Sequence, residues 1–196
     1  MTRIAQIDRS SVADLEPVFT MTERAMGFVP NSMLTMAHWP QLLQTFGAFA
    51  GTVLGPGGEV DAGLKQLIAF VISNASGCRY CQAHTSHTAE RRGVDSAKID
   101  AAFEFETSEL FSAAERSALR VASRAGMVPN AVEDGDMAQL AAHFTPRQIV
   151  EIVAVISLFG YLNRWNDTMA TTLEASPREF GATHLASHGW ATGKHA

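Results

Sequence analysis

Apolar residues recur along this chain every three or four positions, which is the spacing of a helix face. The clearest stretch places five such residues on one side of a helix: Leu64, Leu67, Ile68, Val71 and Ile72. Regular alternation of apolar and polar residues, the mark of a half-buried strand, is hard to find. The pattern therefore predicts an all-α protein, a bundle of about seven or eight helices without a sheet.

Two of the predicted helices have recognisable first residues. Ser112 is followed three positions later by Glu115, as in a capping box. Thr145 stands before Pro146, a capping residue followed by a proline that suits the first helical position. We expect one helix to begin at each of these two pairs.

The segments 60–92 and 145–175 resemble each other weakly. Each begins a helix, continues with apolar residues and reaches an aromatic residue flanked by polar or sulfur-containing side chains. Aligning them pairs Gln66 with Glu151, Cys78 with Asn163, and Cys81 with Asn166. The similarity is consistent with a duplicated helical unit that kept its chemistry in one copy. Chance similarity between two amphipathic helices is the alternative.

A single globular domain fits the length and composition. The chain has 196 residues, of which 46% are hydrophobic and 18% charged, so a mainly disordered protein is excluded. We place one all-helical domain at residues 1–186. The remaining residues 187–196 are rich in glycine, histidine and alanine, and we expect them to form a flexible tail.

Charge and hydropathy exclude two classes of partner. The formal net charge is −5, and the basic residues form no stripe of the kind that binds nucleic acid. The longest apolar stretch, 149–162, is interrupted by Glu151 and is shorter than the ~20 residues of a membrane-spanning helix. The first ten residues lack the apolar core of a secretory signal. We therefore expect a cytoplasmic protein with no nucleic-acid or membrane partner.

The chemistry-bearing segment contains the two cysteines of the chain, Cys78 and Cys81. With His84 and His87 they supply four residue types that bind zinc. On one continuous helix, however, each three-residue step turns the side chain by ~60°, and the four would spread over ~13 Å of the axis. They would not converge on one ion. We expect no metal and no other cofactor.

We interpret Cys78 and Cys81 as a redox dithiol rather than as two inert buried cysteines. Cys78 is predicted in the first turn of a helix, where unpaired N–H groups and the helix dipole favour a thiolate. His84 follows Cys81 by one turn, where its imidazole can take the thiol proton. The helix start therefore favours Cys78 as the more acidic thiol, whereas His84 favours Cys81. His87 is expected to be a solvated helix residue and is only a secondary relay candidate.

The same segment resembles a known family. Residues 64–73 (LKQLIAFVIS) and 77–84 (GCRYCQAH) are similar to the core of the AhpD-like, carboxymuconolactone decarboxylase superfamily. The stretches 29–31 (VPN), 38–40 (HWP) and 111–116 (FSAAER) are similar to its longer peroxidase-related branch. The resemblance covers most of the chain.

The resemblance implies an all-α homo-oligomer with alkylhydroperoxidase activity. It implies that Cys81 attacks a small organic hydroperoxide or H2O2, that Cys78 resolves the intermediate, and that a separate dithiol donor restores both thiols. Two positions depart from the family pattern: its histidine is replaced by Thr85, one residue after His84, and its relay glutamate by Gln66.

Two polar residues are candidates for the missing relay. Gln66 can orient the imidazole of His84 by a hydrogen bond if the two helices are antiparallel. Glu151 retains the acid at the corresponding place in the second segment, and reaches the site only if the two segments pack face to face.

Two other functions remain open at this point. One is a lyase related to carboxymuconolactone decarboxylase, whose chemistry does not require a dithiol. The other is a redox sensor or oligomeric scaffold without catalysis. Phe70, Phe159, Trp165 and Met169 are candidates for an apolar lining near the dithiol, although for each one taken singly an ordinary core position is the more common role.

Overall fold

The computed structural model describes residues 2–196, and within them it contains helices and no strand. The all-α prediction is confirmed. The ten α-helices are α1 Glu16–Met26, α2 Asn31–Met36, α3 Pro40–Leu54, α4 Ala62–Ala75, α5 Arg79–Arg91, α6 Ser96–Asp100, α7 Ala113–Ala125, α8 Asp134–Ala141, α9 Pro146–Met169 and α10 Ala175–His184. Five 3-10 segments are Arg9–Ser11, Ala13–Leu15, Ala101–Glu104, Ala186–His188 and Gly193–His195.

The predicted number of seven or eight helices is too low. Helices α2 and α6 have only 6 and 5 residues. A helix of one to two turns is too short to establish a periodic apolar pattern, which is why the sequence does not reveal these elements.

Helix α4 is the centre of the bundle. Every residue from Gly63 to Ser73 is buried, and α4 packs against α5, α7 and α9. Its first turn is capped by Asp61, whose carboxylate accepts the N–H of Leu64. A helix that is apolar around most of its circumference is stable only when neighbours cover it on all sides. The predicted stripe at Leu64–Ile72 is therefore part of a fully enclosed helix.

The chain reverses between α4 and α5 within three residues. Gly77 has φ of 73°, in the left-handed region that glycine adopts without strain. The N–H of Cys78 then donates to the carbonyl of Ser73 at 3.1 Å, and Cys78 is the N-cap of α5. This tight turn places both cysteines at the start of α5.

Both predicted helix starts are confirmed. Ser112 and Glu115 form a reciprocal capping box at α7, and Thr145 does the same with Gln148 at α9. Helix α9 continues for 24 residues from its start at Pro146. Within residues 2–196, no helix combines the length and the apolar character needed to cross a membrane.

The predicted duplication is not established by the fold. The segment 60–92 is a helix, a turn and a second helix, whereas 145–175 is occupied mainly by the single uninterrupted α9. Asn163, the counterpart of Cys78, therefore lies inside a helix rather than at its start.

The C-terminal segment 187–196, predicted to be a flexible tail, is packed against the bundle. Trp190 and His195 are buried. The indole N–H of Trp190 donates to the carbonyl of Arg79 at 3.1 Å, and the N–H of Leu173 donates to the carbonyl of His195 at 2.9 Å. The glycine and histidine content suggested disorder, but these contacts bring the segment back to the start of α5.

Candidate active site

The two sulfurs lie together at the start of α5. Cys78 and Cys81 are both reduced, with 0% and 2% of their surface exposed. Their side chains are hydrogen-bonded to each other. The spacing of one helical turn brings them together, as the sequence predicts.

The surroundings of the two thiols favour ionisation of Cys78. The hydrogen bond from Cys81 lowers the pKa of Cys78, and the backbone N–H groups of Cys81 and Tyr80 add to this effect. Burial raises the pKa of Cys81, and the neighbouring Cys78 raises it further. A thiolate at Cys78 that accepts the S–H of Cys81 is therefore the preferred ionised state of the pair.

Asn166, on α9, is the second polar neighbour of Cys81. Its side-chain Nδ2 donates to Cys81 Sγ at 3.5 Å, while its Oδ1 is buried and has no hydrogen-bond partner within the described chain. Asn166 and Cys81 are aligned with each other in the two similar segments, and the contact between them is not evident from that alignment.

His84 is part of a different polar cluster. Its Nε2 lies 2.5 Å from Oε2 of Glu174, the residue that precedes α10. Oε1 of Glu174 accepts the hydroxyl of Tyr80 at 2.9 Å and also the backbone N–H of Asn31. The ring of His84 stacks on Tyr80 with a centroid distance of 4.2 Å.

The cluster keeps Glu174 ionised. Burial alone would raise the pKa of this carboxyl, but the charge and hydrogen bond of His84 and the N–H of Asn31 outweigh burial and lower it. His84 is thus oriented by a carboxylate, although by Glu174 rather than by the predicted Gln66. Nε2 of His84 is held by this cluster, and Cys81 contacts Cys78 and Asn166.

The other relay candidates lie apart from the sulfurs. Gln66 is buried in α4, and no side-chain hydrogen bond links it to His84. His87 packs its ring against Phe180 of α10, with centroids 5.7 Å apart. Burial is the main reason that the pKa of His87 is lowered, and the charges of Arg91 and His84 lower it further.

Glu151 belongs to a buried ion pair near the start of α4. Its Oε2 lies 3.1 Å from Nζ of Lys65, and the same carboxylate accepts the N–H groups of Glu59 and Val60. Burial raises the pKa of Glu151, but these N–H groups and Lys65 together lower it to about 2. Glu151 sits 15 residues before Asn166 in the same helix, which is about 22 Å at 1.5 Å per residue.

Two residues that sequence analysis missed approach Cys78 from the other side. Sγ of Cys78, a carboxylate oxygen of Asp167 and a ring nitrogen of His195 all lie within 4.8 Å of one another. Nε2 of His195 is 3.7 Å from Oδ1 of Asp167, and Lys194 holds the other oxygen of Asp167 at 2.7 Å. Three groups that can gain or lose a proton therefore lie together, an arrangement suited to moving a proton.

A cleft of about 380 Å³ opens beside this group. Asn163, Arg164 and Asp167 of α9 line it together with the end of α4. The amide nitrogen and oxygen of the Asn163 side chain are buried without a hydrogen-bond partner among residues 2–196. A buried amide without a partner is uncommon in a folded protein, and this one lies in the wall of the cleft beside Asp167.

The missed residues carried weak sequence signals. Glu174 precedes a helix, which marks it as a cap, but nothing in the sequence connects it with His84. His195 lies in the segment predicted to be disordered. Of the predicted lining residues, Phe70 and Phe159 are buried in the core, with Phe70 packed on Phe103 at 5.3 Å. Trp165 and Met169 are half-buried, and Trp165 stacks on the exposed Tyr161 at 6.0 Å.

Comparison with known proteins places the chain in a family. A sequence profile described as the carboxymuconolactone decarboxylase family matches residues 40–124. The debrominase Bmp8, solved as a cysteine-to-alanine variant in complex with 2,3,4-tribromopyrrole, is 37% identical and superimposes with a TM-score of 0.87. The match covers 93% of this chain and 97% of that chain. The chain belongs to the carboxymuconolactone decarboxylase family.

Other relatives share the fold at lower identity. Uncharacterized protein YnjA of Escherichia coli (strain K12) is 28% identical over 155 residues, which are 79% of this chain and 85% of YnjA. A peroxidase-related protein with an AhpD core from Ralstonia eutropha JMP134 has a TM-score of 0.79 at 23% identity, covering 91% of this chain and 94% of that one. The predicted membership of the AhpD-like, carboxymuconolactone decarboxylase superfamily is confirmed.

Proposed function

We propose that the protein is a dithiol oxidoreductase that transfers the two electrons of Cys78 and Cys81 to a small electrophilic substrate. One observation carries this proposal: two reduced, buried thiols are hydrogen-bonded to each other, with the pKa of Cys78 lowered and that of Cys81 raised. An ionised sulfur next to a neutral thiol is the arrangement in which one attacks and the other closes a disulfide.

We assign the attacking role to Cys78 and the resolving role to Cys81. The family resemblance implies the reverse, on the assumption that His84 ionises Cys81. The carboxylate of Glu174 on Nε2 of His84 strengthens this imidazole as a base, so the contact does not by itself decide between the two sulfurs. The N-cap position and the S–H of Cys81 both favour the thiolate at Cys78 instead.

The first substrate class that we propose is a brominated heteroaromatic ring. It is supported by the 37% identity to the debrominase Bmp8 over nearly the whole chain. The cleft lined by Asp167 lies beside the Cys78 group, although neither sulfur lines it. The Cys78 thiolate takes the bromine while the ring carbon takes a proton. Cys81 then attacks the bromine-bearing sulfur, the disulfide forms, and bromide and the Cys81 proton leave. The dithiol loses two electrons and the carbon gains them.

The second class is an alkyl hydroperoxide or H2O2, as the sequence resemblance implies. Here the Cys78 thiolate takes the terminal oxygen, the alcohol or water leaves with a proton, and a sulfenic acid forms on Cys78. Cys81 displaces water from it and the same disulfide results. Replacement of the family glutamate by Gln66 makes this class second in our order.

Both reactions leave the pair oxidised, so we also propose an external dithiol as the electron donor. No bound cofactor is required by either reaction, because the electrons come from the two sulfurs. The chain is further proposed to form a homo-oligomer.

A substrate panel distinguishes the two classes. Reduced protein is mixed with 2,3,4-tribromopyrrole or with cumene hydroperoxide; free thiols, bromide and cumyl alcohol are then measured. We expect two thiols to be lost per bromide released. Loss of thiols with the hydroperoxide alone would transfer the assignment to a peroxidase. Thiols that persist with both probes would contradict the dithiol proposal.

A double variant, Cys78→Ser with Cys81→Ser, is the matched control. It should show neither bromide release nor alcohol formation, since serine cannot form a disulfide. Retained turnover in this variant would instead favour a lyase that does not use the cysteines.

A further inference from the structure

We propose that His195 is the proton-exchanging partner of Cys78: its Nε2 takes the thiol proton as Cys78 ionises, and returns it to the reduced product. This assignment rests on the proposed dithiol function and adds a residue to it. His195 comes from a segment outside the cysteine motif, 117 positions after Cys78.

The hydrogen bond of the ring fixes its tautomer. Nδ1 of His195 lies 2.8 Å from the carbonyl oxygen of Thr171. A carbonyl only accepts, so Nδ1 must carry the hydrogen and, in the neutral ring, Nε2 presents a lone pair. A base needs such a lone pair to accept a proton.

Nε2 is buried, and its ion-pair neighbour Asp167 lies 3.7 Å away, beyond hydrogen-bond distance. None of the surface of His195 is exposed, and Nε2 has no hydrogen-bond partner in the described chain. A buried polar atom without a partner is uncommon in a folded protein and indicates a functional group or a bound molecule. A ring nitrogen of His195 lies within 4.8 Å of Sγ of Cys78. Since Nδ1 is bonded to Thr171, Nε2 is the nitrogen whose lone pair can accept the thiol proton.

The charged groups around His195 suit a base that alternates between two states. Burial lowers the pKa of His195, and the charge of Lys194 lowers it further, whereas the Thr171 carbonyl and Asp167 raise it. Because the pKa is lowered on balance, the ring is neutral at neutral pH and can accept a proton. Once the ring is protonated, Asp167 at 3.7 Å and the Cys78 thiolate both stabilise the cation. Tyr80, with its ring 5.9 Å away, is the remaining titratable neighbour.

The proton balance closes without another acid. Ionisation of Cys78 moves one proton from Sγ to Nε2. When the sulfur takes bromine from the substrate, the imidazolium gives that proton to the ring carbon, and His195 is neutral again. With a peroxide, the same proton goes to the departing alkoxide. Cys78 Sγ and the ring nitrogen of His195 lie within 4.8 Å of each other. Catalytic hydrogen bonds are often longer in the absence of substrate than in its presence.

The test measures ionisation of Cys78 without any substrate. In a Cys81→Ser background, where Cys78 is the remaining thiol, the rate of alkylation by iodoacetamide is followed from pH 5 to 10. His195→Asn is the informative variant, because the asparagine amide can retain the donor to Thr171 but has no base at the position of Nε2. His188→Asn is the control, since His188 lies in the same C-terminal segment and stacks on Phe103 at 4.1 Å.

We expect His195→Asn to move the alkylation profile of Cys78 to higher pH by about one unit, which is about a tenfold lower rate at pH 7. His188→Asn should leave the profile unchanged. An unchanged profile in folded His195→Asn protein overturns the assignment while leaving the dithiol proposal intact. Conversely, a shifted profile in a protein that reduces no probe would keep the proton exchange and remove the proposed function.

A measurement on unsubstituted His195 covers the case in which the variant does not fold. In protein labelled with ¹⁵N-histidine, alkylation of Cys78 replaces a thiolate by a neutral thioether. The titration of one buried histidine should then move to lower pH. If no histidine other than exposed ones responds, the proposal is overturned.

Discussion

Cys78 and Cys81 have identical side chains but different ionisation, because their positions in α5 differ. Cys78 is the N-cap and receives N–H groups, whereas Cys81 is enclosed one turn later. The spacing between each cysteine and the next histidine in the sequence does not show this difference. The donors around each sulfur are the basis on which we propose Cys78 as the attacking residue.

Single cysteine variants test that asymmetry. Cys78→Ser should abolish the first step, with product formation below about 1% of the unsubstituted protein, because the attacking sulfur is lost. Cys81→Ser should still form one product per chain and then stop, since no thiol remains to resolve Cys78. Single-turnover product measurement and mass spectrometry of the trapped cysteine check both outcomes. Trapping at position 81 in the Cys78→Ser protein would reverse the assignment.

Glu174 is expected to contribute to stability more than to thiol reactivity. Glu174→Gln weakens hydrogen bonds to His84, Tyr80 and the N–H of Asn31. Loss of charged hydrogen bonds should lower the free energy of unfolding by about 2 kcal/mol, measured by urea denaturation. The alkylation profile of Cys78 should not change.

The exposed Glu179 of α10 provides the control for that experiment. Glu179→Gln should change stability by less than about 0.5 kcal/mol. Because the pKa of Glu174 is lowered in the folded protein, its contribution is present above the ordinary carboxyl pKa and disappears as the pH falls through the lowered value. A changed Cys78 profile in Glu174→Gln would restore His84 as a thiol-activating group.

At the level of elements, α9 links two distant polar sites. Glu151 near its start holds Lys65 and the loop before α4, and Asn166 near its end touches Cys81. The helix therefore fixes the position of the dithiol relative to the rest of the bundle. The two sites serve different purposes, although sequence alignment placed Glu151 among the relay candidates.

The ion pair of Glu151 and Lys65 should stabilise the fold in a pH-dependent way. With a folded pKa of about 2, the contribution is complete above the ordinary value of 4.5 and is lost as the pH falls towards 2. Glu151→Gln should cost about 3 kcal/mol at pH 7, since it leaves Lys65 buried without its charge partner. The difference from the unsubstituted protein should shrink between pH 4.5 and 2.

Chemical denaturation at several pH values measures this effect. Glu104→Gln, an exposed substitution in the segment Ala101–Glu104, is the control and should follow the unsubstituted protein. A stability loss in Glu151→Gln that is equal at pH 7 and pH 2.5 would contradict the ion-pair explanation.

Long helices and their capped starts could be predicted from the sequence, because apolar spacing and capping residues are local signals. Ser112 and Thr145 identified the starts of α7 and α9 correctly. The pairing of the two cysteines was predictable for the same reason. The partners Glu174, Asn166 and His195 were not, since each contact joins residues more than 80 positions apart and depends on tertiary packing.

For the whole molecule, the C-terminal segment completes the site. Trp190 packs against Gly181, where a Cβ would lie 2.8 to 3.0 Å from the indole, and this contact holds the chain that leads to His195. The histidine near Cys78 therefore depends on docking of the segment, not only on the helix that carries the cysteines.

Trp190→Ala is expected to release this segment. The loss of a buried indole should lower stability by about 3 kcal/mol and move the alkylation profile of Cys78 in the same direction as His195→Asn. Trp39→Ala, at a position that is 62% exposed, should change neither property. A stability loss without a change in the Cys78 profile would show that the segment is structural only.

Because residues 187–196 pack against the start of α5, the parts of the site are made at different times during translation. The ribosome synthesises the cysteine pair long before it reaches His195. A nascent chain therefore carries both thiols before the imidazole has been made. Under the role proposed for His195, docking of residues 187–196 brings the base to Cys78 only after the helices that surround the site have been made.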